Sequence, residues 1–135
     1  MSYIIYPQLD NKLAVIFPTG DVNDCIKDVP EGVPYAIVDS LDGLDNAYFD
    51  AFIYENGAAV VDISAAKLIH LDKFRAARKP KLEKLDIDYM RALETEDYVK
   101  AANIAVQKQE LRDITLTPLP DTLAELKETW PDELK

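Results

Sequence analysis

The chain has 135 residues, 48% of them hydrophobic and 30% charged. That composition belongs to folded chains rather than disordered ones, and the length suits one modest domain or two small subdomains. A net charge of −10 disfavours general nucleic-acid binding, which needs a basic surface. No apolar run approaches the roughly 20 residues that span a bilayer, and the opening MSYIIYPQLD lacks the basic and apolar regions of a signal peptide. Synthesis and residence in the cytoplasm, with no membrane partner, are therefore expected. The single cysteine, Cys25, excludes an internal disulfide framework and a cysteine-built zinc site.

The charge is unevenly spread. Residues 1–62 carry 11 acids against 2 bases, residues 63–112 carry 8 against 11, and residues 113–135 carry 6 against 2. An acidic front part thus precedes a mildly basic one, a balance that keeps a small protein in solution and suits a basic partner.

In chain order, Tyr3 to Pro18 reads as a β-hairpin whose turn is Asp10-Asn11, with Pro7 and Pro18 at strand ends or on an edge. Asp21 caps a helical turn that runs to Lys27 and stops before Val29-Pro30, since the residue before proline avoids the helical region. PYAIVD, from Pro34 to Asp39, reads as a strand, and the acidic stretch around Gly43 as a turn. Ala47 to Tyr54 is ambiguous over its first half. Its second half reads as a strand, because Asn56-Gly57 follows and Ala58 to Val61 can return beside it. Four or five short, mostly antiparallel strands are expected before Asp62.

From Asp62 to Asp113 strong helix formers dominate. Asp62 or Ser64 caps the first helix. Leu71, Phe74, Leu82, Leu85, Tyr89 and Leu93 recur at helical spacing, and Tyr98, Ala101, Ile104, Ala105 and Leu111 form a second series. Pro80 interrupts the first series: the helix kinks there or ends near Arg78 and restarts at Pro80, with Asp86 as another place for a cap. Thr95 is expected to start the second long helix, which ends near Asp113. TLTPLP is then extended, Asp121 caps a short helix to about Thr129, and Trp130-Pro131 ends it. The fold class is α+β: a small antiparallel N-terminal part, residues 1–62, followed by an antiparallel helical pair and a short last helix, residues 63–135.

The chemistry-bearing residues give no catalytic constellation. His70, the only histidine, sits among Leu68, Ile69 and Leu71 and reads as a core or boundary residue, since a general base needs a partnered site. Cys25 reads as a half-buried residue of a short helix. The acids Asp39, Asp42, Asp45 and Asp50 lack the order of a calcium loop and read as a solvated turn. No glycine-rich phosphate loop, G-x-S-x-G or H-E-x-x-H occurs. The basic cluster Lys73, Arg75, Arg78, Lys79, Lys81 and Lys84 spreads around several helix faces and reads as solvated or turned toward acids. No catalytic, cofactor or metal residue is assigned. Leu71, Phe74, Leu82, Leu85, Tyr89, Ile104, Leu111 and Trp130 are candidates for a face that is either core or protein interface.

The runs RAARKPKLEKLDIDYMRALE, VQKQELRDITLTPLP and LAELKETWPDEL resemble small tail-associated proteins of bacteriophages and prophages, most of all the chaperone-like tail-fibre assembly proteins. Gln109, Leu111, Arg112, Asp113 and Ile114 match a family-like helix ending Q-x-L-R-D-[IL]-P, with Thr115 where the proline is usual, and Trp130-Pro131 matches a common closing pair. The resemblance covers about residues 64–135. It implies a non-enzymatic protein that binds a tail fibre or its trimerisation region in the host cytoplasm during assembly, with amphipathic helices covering apolar surface. Homo-oligomerisation fits as well. The competing expectations are a structural part of the tail retained in the virion and an acidic DNA mimic that blocks a host nuclease. The bases between Lys73 and Lys84 speak against the mimic.

Overall fold

The computed structural model describes residues 2–135. It is α+β, with antiparallel strands at the N-terminal side followed by packed helices. The contacts divide it into two compact units, Met1–Ala66 and Lys67–Lys135.

In the first unit, β1 (Tyr3–Pro7) lies between β2 (Leu13–Ile16) and β3 (Ala36–Val38) in an antiparallel sheet. Being central, β1 buries both Ile4 and Ile5, consecutive residues that point to opposite faces. β4 (Phe52–Glu55) and β5 (Ala58–Val61) form the second antiparallel pair. Asn56 and Gly57 both have positive φ, 51° and 84°, the backbone of the turn whose twist matches a two-residue hairpin. The Tyr54 amide donates to the Asn11 carbonyl at 3.2 Å, and Lys12 bridges to Ile53, so the two hairpins are stitched together. Leu13, Tyr48, Ala51, Phe52 and Tyr54 are buried in this unit.

Among the described residues, five of the 25 acidic residues serve the backbone directly. Carboxylates of Asp10, Asp21, Asp45, Asp62 and Asp97 each accept a backbone N–H two or three residues on, at 2.8–3.2 Å. Asp21 caps a 3-10 turn, Val22–Asp28, that stops at Val29 as expected. Asp45 caps another, Asn46–Ala51, which occupies the ambiguous stretch before β4. β3 is shorter than the stretch from Pro34 to Asp39.

Helix α1 runs unbroken from Ile63 to Glu94, with Pro80 inside it. Of the two expected alternatives, a helix carried through Pro80 or a break near Arg78 with a restart at Pro80, the continuous helix is the one formed, and neither Pro80 nor Asp86 starts a new helix. Proline removes one backbone bond and costs roughly 3 kcal/mol inside a helix. The residues before it (Leu71, Phe74, Ala77) and after it (Leu82, Leu85) all pack into one apolar cluster, and that shared burial outweighs the loss. Asp62 is the cap: its Oδ1 accepts from the Ser64 and Ala65 amides.

Helix α2 runs from Tyr98 to Asp113, and its cap is Asp97 rather than Thr95. Thr95 belongs to the end of α1, where its hydroxyl donates to the Arg91 and Ala92 carbonyls. The joint between the helices is compact. The Asp97 amide donates to Ala92 and the Glu96 amide to Leu93, the paired bonds of a left-handed helix C-cap. Glu96 holds the left-handed position at φ 58°, which costs a residue with a Cβ about 1–2 kcal/mol. Its charge is also misplaced at a helix C-terminus. Glu96→Gly is therefore expected to stabilise the chain by about 0.5–1 kcal/mol, after the entropy cost of glycine is deducted. A thermal melt checks this, and a lower midpoint would contradict it.

The order of pairing makes α1 and α2 antiparallel. Ala92 packs with Ala101 and Ile104 near the joint, while Phe74, Leu82 and Leu85 pack with Leu111 and Ile114 at the open end. Asp86 and Lys108 form an ion pair at 2.5 Å, and the same ammonium lies 5.2 Å from the Tyr89 ring centroid. Arg78 donates from Nη1 to the carbonyls of Leu111 and Arg112, satisfying the C-terminal end of α2.

Candidate functional site

The C-terminal segment folds back onto α1. After a short 3-10 turn, Ile114–Leu116, helix α3 spans Leu123–Glu128. Its cap is Thr122, whose hydroxyl accepts from the Glu125 amide at 3.3 Å. Asp121, expected as that cap, instead accepts the Lys67 ammonium at 2.6 Å. That hydrogen bond and the positive charge hold the Asp121 carboxyl below its ordinary range. A carboxylate whose pKa is lowered in the fold stabilises above its unfolded value and loses that contribution as pH falls through the lowered one. Asp121 is exposed, so solvent screening keeps the contribution small.

Three residues spaced along one stripe of α1 meet this segment. Lys67 pairs with Asp121. His70, 2% exposed, donates from Nε2 to the Thr129 carbonyl at 2.7 Å, which fixes the proton on that nitrogen. Phe74, fully buried, meets the Trp130 ring edge-to-face at 5.5 Å, and His70 stacks edge-on against Phe74 at 4.8 Å. His70 is thus a structural tie, as its apolar neighbours suggest. Leu126 and Leu134 are buried too, Leu134 in the cluster of Phe74, Leu111 and Ile114.

The candidate interaction face is divided by this packing. Phe74, Ile104 and Leu111 are buried, and Leu71, Leu82, Leu85 and Tyr89 are half-buried against them. Trp130 keeps 37% of its surface. The stripe is the seam of the hairpin. Three members of the two periodic series, Leu93, Tyr98 and Ala105, are exposed rather than in the seam, and apart from Tyr98 periodicity did not single out the apolar residues on the outside of the same helices. Ile87 and Met90 on α1 and Tyr98, Val99 and Val106 on α2 are each more than half exposed. Ile87 and Met90 are three apart; Val99, Ala102 and Val106 are spaced three and four. Each group therefore forms a stripe of its own, on a helix whose opposite side is already packed. A helix apolar on both sides is normally covered on both.

Two adjoining hollows lie along the seam where α1, α2 and the C-terminal segment meet. One, of about 320 Å³, is lined by Lys81, Lys84, Leu85, Leu111, Glu110 and Glu133 among others. The other, of about 390 Å³, shares Glu110 and Glu133 and continues to Phe74, Asp113, Ile114 and Trp130. Among the described residues no three histidine, cysteine, aspartate or glutamate side chains converge to hold a metal ion, and no helix is long and apolar enough to cross a membrane. Cys25 is a half-buried residue of its 3-10 turn. Comparison with known protein families, curated proteins and solved structures found no match.

Proposed function

We propose that the chain is a non-enzymatic, chaperone-like assembly factor that binds a phage tail fibre or its trimerisation region. The observation that carries this is the outward apolar surface of the α1–α2 hairpin: Ile87, Met90, Tyr98, Val99 and Val106, each more than half exposed. Apolar side chains arranged in stripes on a hairpin with a packed seam suit burial against a partner. The motif resemblance over residues 64–135 names the kind of partner. A fibre chain presents apolar trimerisation surface before it assembles, and such a hairpin can cover it until the correct chains meet.

Co-expression with a phage tail-fibre protein tests this. The yield of soluble, trimeric fibre is expected to rise in the presence of this chain. An unchanged yield would remove the proposal. Recovery of the chain in purified virions would replace it with a structural role in the tail.

A further inference from the structure

The seam groove is a second surface, apart from the outward stripes of the hairpin. Its walls are apolar at Leu85, Leu111, Ile114 and Pro131. Its charges are sorted by position. Lys81 and Lys84 line only the first hollow, while Glu110 and Glu133 line both. Asp113 and Trp130 line only the second. Lys81, Lys84, Glu110 and Glu133 line one hollow, yet among the described residues none of these four is ion-paired. Trp130 is anchored edge-to-face by Phe74 and His70 and remains 37% exposed. An anchored aromatic ring beside carboxylates attracts a guanidinium or ammonium, through the ring quadrupole and by ion pairing. The lysine end attracts a carboxylate.

We infer that this groove docks a short segment of a partner protein with an apolar middle, a cationic side chain at the Trp130 end and an acidic one at the Lys81–Lys84 end. Charge complementarity selects that occupant. Glu110, Asp113 and Glu133 would repel a nucleic-acid backbone or an anionic membrane along most of the groove. The inference rests on the chain being a protein-binding module, but it uses residues that the outward stripes do not contain.

Trp130 is the only tryptophan, so its fluorescence reads the groove directly. The probe is the blocked pentapeptide RLALE, titrated into the full chain at low salt, beside ELALE and RLALR. RLALE is expected to give a saturable change and to bind about tenfold more tightly than either control. Glu110→Gln with Glu133→Gln is expected to weaken RLALE about tenfold at an unchanged melting temperature, and raised salt should weaken it further. Lys84→Gln is an independent check, expected to narrow the preference of RLALE over RLALR. Equal binding of the three peptides, no saturable change, or indifference to the glutamate variants would overturn the inference. So would a fluorescence shift that depends on protein concentration alone, which would mean that a second copy covers the groove, or a response to a short oligonucleotide instead. A rise in fibre yield together with a silent groove would overturn this inference and leave the assembly role standing.

Discussion

Phe74→Ala is expected to lose about 3–5 kcal/mol of stability, the range for truncating a buried aromatic residue. Phe74 has no exposed surface. It sits where three parts of the C-terminal unit converge: Leu111 and Ile114 from α2 and the turn after it, Leu134 from the chain end, and Trp130 from the segment between. Removing the ring leaves a void against all of them and takes away the surface on which Trp130 rests. Small domains have only about 5–15 kcal/mol in total, so the loss is a large share of what holds this unit. Urea unfolding followed by Trp130 fluorescence checks it. A midpoint close to that of the native chain would mean that the C-terminal segment does not depend on this ring.

Leu111→Ala is the second large effect, about 2–5 kcal/mol. Leu111 is 5% exposed and faces Phe74 across the seam. Leu85, read from the sequence as an equal member of the stripe, is only half-buried, although it touches both apolar clusters. Less of its surface leaves water, so Leu85→Ala is expected to cost less than Leu111→Ala. Thermal melts of the two variants should rank them in that order. Equal losses would mean that Leu85 is covered as fully as Leu111 in solution, and no loss at either would place the seam elsewhere.

The features that the sequence displayed plainly are those set by local chemistry. Asn56-Gly57 needs two left-handed residues and marks the hairpin by itself. Asp21 and Val29-Pro30 bracket a short turn because one supplies a cap and the other forbids further helix. Spacing found most of the seam of α1 and α2, but it also counted Leu93, Tyr98 and Ala105, which are exposed. The misreadings arose where distant packing decides. Pro80 reads locally as either a kink or a break, and the helix continues because residues on both sides of it pack against one apolar cluster. Thr95 and Asp97 are both good caps. Asp97 is used because α1 runs on to Glu94 and Glu96 takes the left-handed turn. Trp130-Pro131 looked like a terminator, but Trp130 is also one wall of the groove. That wall exists only because the last residues return to α1, more than fifty positions back in the chain. The spacing of Leu126, Trp130 and Leu134, four apart, was the available signal that this tail has an apolar side. The outward stripes were hidden for a different reason: periodicity identifies a packed face, and these helices carry apolar residues on two.

The most direct measurement is the yield of soluble trimeric fibre on co-expression with the native chain or with Val99→Glu, Val106→Glu. Both valines are exposed, at 75% and 58%, on the side of α2 away from Ala101 and Ile104, so the variant should fold with little change in its melt. The predicted result is that the native chain raises the fibre yield and the folded variant does not. A variant that folds and raises the yield as much as the native chain would contradict the assignment of the outward hairpin surface as the fibre-binding face.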